Sequence, residues 1–450
     1  MPEGHTILSR ARLPVPPLRL DQTIVRIGSF VVGKADQKLY KQRRFFLLPL
    51  RTQALLVLLA YATFGLIGVV EDEKYNQSHD HSQPTHCQLS TVICLLLMKL
   101  GIIGFPQSGK TTIFNALTHS NRPVAMSAGR IEITTAVVDV PDERLMKLAA
   151  LFDSKKIVHA QISFADVAGL GSSDTSKGIS AQLLNALTGM DGLLLVLRAF
   201  EDPSVPHPHE TVDAARDWRL VEDELLLNDL IIVERRITKL NEERGKGGRD
   251  IPAIDRELAL YKGLQEKLSA NQPLRGSNLS AEELKQLAGA GMLTTKPMLI
   301  VLNLGEGQSP PQLPSSSAPL LSLQGKLEME LAQLTPEDAE IFLKEYGLAE
   351  SGSRRVIRAA YDLLNTQTFY TVGEPEAHAW MLRRGASALE AADTIHSDIA
   401  RGFIRAEIVA GQELLDLGGM AAARDKGRLR LEGKEYKMQD GDVINVRFNV

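Results

Sequence analysis

Leu100-Gly101-Ile102-Ile103-Gly104-Phe105-Pro106-Gln107-Ser108-Gly109-Lys110-Thr111-Thr112-Ile113-Phe114-Asn115-Ala116-Leu117 decides how this chain reads. The first four residues form a short apolar run typical of a buried parallel strand, and the residues after Lys110 have helical character. Between them lies G-x-x-x-x-G-K-[ST] in the strand–loop–helix setting that gives the pattern its meaning. Gly104 and Gly109 let the backbone curl so that successive N–H groups of Pro106-Gln107-Ser108-Gly109-Lys110-Thr111-Thr112 (Pro106 excepted) turn inward on phosphate oxygens, with the positive end of the helix behind them. Lys110 is placed to reach the β- and γ-phosphates, and the Thr111 hydroxyl to ligate Mg²⁺. A nucleotide site is therefore expected here.

Such a site needs an acidic residue at the end of a second strand. Gln161-Ile162-Ser163-Phe164-Ala165-Asp166 supplies one, followed by Val167-Ala168-Gly169. Asp166 is expected to hold the Mg²⁺ shell through water, and the Gly169 N–H to sense the γ-phosphate. Leu170 follows, where many GTPases carry a glutamine that orients the attacking water. A leucine cannot hydrogen-bond water, so slow intrinsic turnover is expected, with another group, the backbone or a bound K⁺ in that role. Met298-Leu299-Ile300-Val301-Leu302 reads as another buried strand, ending in Asn303-Leu304-Gly305-Glu306. This is the position of the guanine-reading N-K-x-D, without its lysine and with glutamate for aspartate. Loss of a well-placed bidentate acceptor weakens guanine selection, so relaxed or adenine-leaning specificity is expected. Leu323-Gln324-Gly325 falls where the last base-contacting loop belongs.

Between Arg198 and Lys296 the pattern turns helical. Leu220, Leu227, Leu230 and Ile237 recur at sevens and threes, Gly245, Gly247 and Gly248 break the run, and Ile254, Leu258, Tyr261 and Leu268 resume it. An antiparallel coiled-coil-like hairpin is expected over about 205–292. From Thr368 short β-like runs follow, at Phe403 to Val409, Glu435 to Lys437 and Val443 to Phe448, with a turn at Asp440-Gly441. Arg424, Lys426, Arg428 and Arg430 nearly alternate, a spacing that could aim a basic edge at RNA phosphates.

With these stretches in hand, residues 98–450 resemble the YchF family of Obg-related P-loop ATPases/GTPases. The phosphate loop, Asp166-Val167-Ala168-Gly169-Leu170, Val140-Pro141-Asp142-Glu143-Arg144-Leu145, Arg401-Gly402-Phe403-Ile404-Arg405-Ala406-Glu407, the N-x-x-E run and the ending from Gln439 carry the resemblance. It implies an α/β P-loop NTPase with an Obg-type G domain over 98–367, an inserted helical hairpin, and a β-grasp TGS domain over 368–450. It also implies a cytoplasmic, ribosome-associated enzyme preferring ATP to GTP, with the hairpin as a candidate RNA contact. The family's switch I threonine aligns with Arg130, flanked by the matching Ile131 and Glu132. Either Thr134 or Thr135 substitutes, or Arg130 meets the γ-phosphate itself, or the switch is degenerate. The last case leaves a non-hydrolysing nucleotide sensor as the alternative function.

The first 97 residues are unlike the rest. They carry 11 Lys+Arg against 7 Asp+Glu, whereas the remainder carries 40 against 48, and both cysteines of the chain, Cys87 and Cys94, lie within them. Met1-Pro2-Glu3-Gly4-His5-Thr6 resembles the start of the formamidopyrimidine-DNA glycosylase and endonuclease VIII family, whose catalytic nucleophile is that proline amine. The resemblance ends by about residue 30, with no helix-two-turn-helix or zinc finger downstream, so no DNA partner is expected. Thr52–Val70 is uncharged, and its apolar part from Ala54 is slightly short for a membrane span. A membrane helix, which would tether the protein, and a buried helix both fit it, and the tethered form is the less favoured. His79, His81, His86 and Cys87 lack zinc-finger spacing and sit in a polar linker. The segment reads as a disordered extension or a gene-model artefact. For the whole chain, 44% apolar and 24% charged residues with a net charge of −4 exclude a disordered chain, a collagen-like repeat and a disulfide scaffold.

Overall fold

A computed structural model describes residues 98–121, 133–167, 179–246, 250–287, 289–314 and 318–449. The expectations for 1–97, among them the Thr52–Val70 span, lie outside the described residues. Within those described, no helix is long and apolar enough to cross a membrane, and no group of His, Cys, Asp and Glu is placed to hold a metal by itself.

The chain runs β1 (Lys99–Ile103), α1 (Lys110–Thr118), β2 (Ile133–Asp139), α2 (Glu143–Leu151), β3 (Ile157–Val158), β4 (Gln161–Val167), α3 (Ala181–Thr188) and β5 (Gly192–Arg198). Three helices follow, α4 (Ala214–Lys246), α5 (Ile251–Ser269) and α6 (Ala281–Leu287), then β6 (Met298–Asn303), β7 (Leu320–Leu323), α7 (Gly325–Leu331), α8 (Pro336–Glu345) and α9 (Gly352–Leu363). The C-terminal part is β8 (Thr366–Val372), β9 (Ala377–Arg383), α10 (Ala388–Ile395), α11 (Ser397–Arg401), β10 (Phe403–Ala410), α12 (Gly411–Leu417), α13 (Met420–Asp425), β11 (Arg430–Glu432) and β12 (Asp442–Phe448).

The first sheet has the order β2-β4-β1-β5-β6-β7, parallel except where β2 runs against β4. Every residue of β5 and β6 is buried, as expected for parallel strands covered on both faces by helices. One face packs Leu100, Ile102, Phe164 and Leu194 with Phe114 of α1, Leu145 and Leu148 of α2 and Val356 of α9. The other packs Ile103, Leu193, Leu195 and Ile300 with Leu183 and Leu187 of α3 and the first turns of α4. The C-terminal ends of β1, β4, β5 and β6 thus open on one edge, where ligands of such sheets bind.

The hairpin exists, and of the eight seam residues the spacing suggested, all but Leu220 and Leu227 pack in it. Leu226, Val233 and Leu240 of α4, seven residues apart, meet Ile254, Leu258, Tyr261, Leu264 and Leu268 of α5, with Leu230 and Ile237 packed alongside. Leu220 and Leu227 are 38% and 50% exposed. They belong to the same heptad arithmetic one position round the helix, and only the position of α5 chooses between the two stripes. Gly245 does not break α4, which continues to Lys246. At the root, the buried Asp229 carboxylate accepts from the Leu293 and Thr294 N–H groups and the Thr294 hydroxyl at 2.6–2.8 Å. Arg275 clamps Glu222 through Nη1 at 2.8 and 2.9 Å. These bonds tie the arm to the segment that enters β6.

The second sheet has the order β11-β10-β12-β8-β9-β3. Its strand β8 starts at Thr366, two residues before the expected onset. Glu435–Lys437 forms no strand and contributes one isolated bridge from Lys437 to Ser387. The Val140–Leu145 motif acquires a role here. Asp142 caps α2 by accepting from the Arg144 N–H and also receives the Tyr370 hydroxyl of β8, while Arg144 binds Asp440 at 2.7 Å. The β3 strand, adjoining α2, pairs with β9. Arg424, Arg428 and Arg430 lie near Glu407, Glu413 and both Glu432 and Asp442 respectively. Three of the four cations on the expected basic edge therefore have a carboxylate of the same domain at 3.6–3.9 Å.

Candidate functional site

Loop residues 104–109 join β1 to α1 with unusual backbone angles. Gly104 has φ 149°, Gln107 φ 63° and Gly109 φ 91°. A β-carbon on Gly104 would lie 2.4 Å from the Val196 carbonyl oxygen, and one on Gly109 would lie 2.1 Å from Asn303 Nδ2. Both glycines are demanded by close approach as well as by angle. Ser108 is buried and its hydroxyl has no partner among the described residues, while Pro106 is exposed at the rim. Thr112 is half-buried in the first turn of α1, one residue beyond Thr111.

Lys110 folds back over the loop, its Nζ donating to the carbonyls of Gly104 at 3.0 Å and Phe105 at 2.8 Å. Burial pushes its amine down to about 8, while the nearby Asp166 carboxylate pulls the other way. The Thr111 hydroxyl donates to Asp166 Oδ2 at 2.9 Å. Two oxygen ligands of hard character thus sit side by side at the ends of α1 and β4, which suits a small divalent cation that keeps some of its waters. In the β2–β4 register Thr134 lies opposite Asp166 and Thr135 opposite Ala165. Directly opposed residues share a face, so of the two candidate threonines Thr134 is on the carboxylate's side. Arg130, Gly169 and Leu170 lie outside the described residues.

Asn303, at the end of β6, has both side-chain polar atoms committed to protein. Its Nδ2 donates to the Ser108 carbonyl at 3.1 Å, and its Oδ1 accepts from the Gly325 N–H at 2.9 Å. It is a strut joining three loops. Gly325 is itself constrained, since a β-carbon there would sit 2.7 Å from Asn303 Oδ1 and 2.9 Å from Ile113 Cδ1. Gln324 is the N-cap residue of α7 with no side-chain capping bond. Leu304 is buried in the core, and Glu306 is exposed on a turn closed by the Gly305 N–H donating to Gln308 Oε1 at 2.8 Å.

Sequence reading overlooked the segment after β5. Phe200 stands beside Gly109 and Gly305, 3.9 and 3.4 Å from where their β-carbons would lie. Farther on, His207 Nε2 meets Asp217 Oδ2 at 2.9 Å, both side chains 2% exposed, and its Nδ1 accepts from the His209 N–H. Nε2 is therefore the protonated nitrogen of the neutral ring. Burial lowers the His207 pKa, against the raising effect of Asp217. The His209 ring packs edge-on to Phe105 of the phosphate loop, with centroids 5.2 Å apart. The signal that could have marked this segment was Pro206-His207-Pro208-His209, two histidines fixed between prolines just after a buried strand.

With this geometry in place, comparison with known proteins gives a consistent result. A family model described as 50S ribosome-binding GTPase matches residues 99–228, and one for the YchF-GTPase C-terminal region, described as a protein of unknown function, matches residues 366–449. The chain is similar to the Bacillus subtilis ribosome-binding ATPase YchF, with 37% identity over 372 residues, 79% of this chain and 100% of that protein. The Escherichia coli O157:H7 ribosome-binding ATPase YchF is 35% identical over 363 residues, 78% of this chain and 99% of its own. Among solved structures, that of the Schizosaccharomyces pombe YchF GTPase superposes with a TM-score of 0.68 at 30% identity, covering 78% of this chain and 97% of that one. The chain belongs to the YchF family of Obg-related P-loop NTPases.

Proposed function

We propose that this protein binds ATP, and GTP less selectively than an N-K-x-D protein would, and hydrolyses it slowly as a ribosome-associated switch in the cytoplasm. The observation that carries the reading is the loop itself: two glycines that admit no β-carbon, a lysine withdrawn onto Gly104 and Phe105, and the Thr111–Asp166 pair. On binding, Lys110 would exchange the carbonyls of Gly104 and Phe105 for phosphate oxygens, which compensate its charge more fully than those carbonyls and Asp166 do. Thr111 would hold Mg²⁺ directly and Asp166 through water. The ion, when bound, neutralises charge developing on the transferred phosphoryl group.

Asn303 keeps the phosphate loop, the β6 end and the start of α7 in register. Base selection by Glu306 is weak in this reading, because that side chain lies exposed beyond the turn. Ribosome association is supported by the likeness to the Bacillus subtilis and Escherichia coli ribosome-binding ATPases. We assign residues 98–367 to the nucleotide domain with its helical arm and 368–450 to a TGS-like module. Binding of ATP, GTP and their diphosphates to the full chain, with single-turnover hydrolysis and Lys110→Ala as control, tests the proposal. Saturable binding and product formation lost in Lys110→Ala are expected. Binding with no product would favour the sensor alternative, and binding of neither nucleotide would reject the reading.

A further inference from the structure

Asn303 braces the phosphate loop at Ser108, whose carbonyl accepts from its amide. The other end of the loop turns on Phe105. The Phe105 carbonyl accepts from the Lys110 amine at 2.8 Å and from the Ser108 N–H at 3.3 Å. A shift of this one residue therefore moves the resting place of the lysine and the closure of the loop together. The Phe105 ring is half-buried on the α3 side of the first sheet. His209 meets it from a distant part of the chain, with ring centroids 5.2 Å apart and planes at 86°.

His209 serves here as a ring rather than as a hydrogen-bonding group. Among the described residues its ring nitrogens make no hydrogen bond, and the ring lies beside those of His207 and Phe105. Its backbone, by contrast, is firmly held. The His209 N–H donates to His207 Nδ1 at 3.1 Å, and its carbonyl accepts from the Thr211 N–H at 2.6 Å and from Arg216 Nη1 at 3.4 Å. Arg216, in the first turn of α4, also binds the Thr211 hydroxyl and carbonyl at 2.9 and 2.7 Å and the buried Asp217 carboxylate at 2.8 Å. Asp217 in turn holds His207, and Pro206 and Pro208 restrict the backbone around it. The next residue, Glu210, has φ 65°. Residues other than glycine rarely adopt that conformation, and it persists where the surroundings over-determine it. This constraint fixes the direction in which the half-buried His209 side chain projects.

We propose that His209 is a positioning residue for the phosphate loop: its ring props Phe105, and through the Phe105 carbonyl it keeps the loop in its phosphate-binding shape. The inference rests on the nucleotide-binding reading and adds how the loop is held from the root of the arm. An edge-to-face pair of rings contributes beyond the area it buries. A loop ordered before its ligand arrives binds more tightly than one that must be ordered on binding. Because His209 acts through Phe105, the ligand's phosphates feel its loss and the base does not.

The test measures affinities of the full chain for Mg·ATP and for Mg·tripolyphosphate, which lacks a base. His209→Ala is expected to weaken both alike, by about threefold to tenfold, the range an aromatic pair supports. His209→Phe keeps the ring and should restore both to within about twofold of wild type. Phe105→Ala should weaken both as well, and adding His209→Ala to it should cost less than about twofold more, because the two rings act through one contact. A merely structural role for His209 would lower the melting temperature without moving the affinities of the folded protein. Unchanged tripolyphosphate affinity in His209→Ala would overturn the proposal. A loss confined to ATP, or one that His209→Phe leaves unrestored, would overturn it too. If His209→Ala fails to fold, His209→Gln, which also lacks a ring, decides the matter. Wild type that binds neither ligand would reject the nucleotide reading instead.

Discussion

A β-carbon at Gly104 meets the Val196 carbonyl oxygen at 2.4 Å, at a φ of 149° that side chains rarely adopt. Gly104→Ala is therefore expected to lower the melting temperature, at a cost on the order of 1–3 kcal/mol, and to abolish measurable ATP binding; calorimetry checks both. Asn303 yields a prediction of another kind. Its amide is spent on Ser108 and Gly325, so Asn303→Ala strands two buried backbone groups at about 1–3 kcal/mol for each unsatisfied group. ATP and GTP should weaken by the same factor, whereas a selective loss of one nucleotide would identify Asn303 as a base reader. Gly104, Gly109, Lys110 and Thr111 stand out in the sequence because the pattern of a phosphate loop spans only a few residues, and Asp166 because an acidic residue ends a second buried strand. Phe200 and His209 do not, because their places beside the loop depend on Gly109 and Phe105, far away along the chain.

The helical arm shows how an element and most of its seam can be read from spacing while single positions on the longer helix are not. Leu227 and Leu240 look alike in the periodic pattern, yet Leu240 is fully buried and Leu227 is 50% exposed. Leu240→Ala should destabilise the arm by about 2–5 kcal/mol, and Leu227→Ala by no more than about 0.5 kcal/mol. Urea unfolding followed by far-ultraviolet circular dichroism distinguishes them, and equal losses would refute the seam. The α2 cap belongs to the same scale. Asp142 serves both the helix and the buried Tyr370 hydroxyl, so Tyr370→Phe removes one partner of a bond that joins α2 to β8. The expected cost is about 1–2 kcal/mol, seen as a lower melting temperature.

Across the whole molecule, one buried and one half-buried histidine make stability depend on pH. Burial is the largest cause lowering His207 and His378 below the ordinary 6.5, against the opposing influence of Asp217 and Glu376 respectively. Arg216 and Arg198 add to the lowering at His207, and Lys156 at His378. Between the folded and unfolded pKa values the unfolded chain binds more protons, so stability falls as pH drops below about 6.5. Each histidine contributes a slope of no more than about 1.4 kcal/mol per pH unit. Denaturant midpoints at about pH 7.5 and pH 5.5 check this, and His207→Gln should flatten the difference.

The loop between β1 and α1, the parallel strands and the existence of the arm could be read from the sequence. Each follows from local spacing: a glycine-framed loop between strand and helix, apolar runs buried on two faces, or a repeat of about seven residues in a coiled-coil seam. Tertiary structure decided which leucines face inward, that Asp142 and Arg144 join α2 to the C-terminal sheet, and that Asn303 is a strut. It also brought His209 against Phe105 of the phosphate loop. These outcomes depend on residues brought together from distant parts of the chain, and only close packing selects among side chains that local periodicity leaves equivalent.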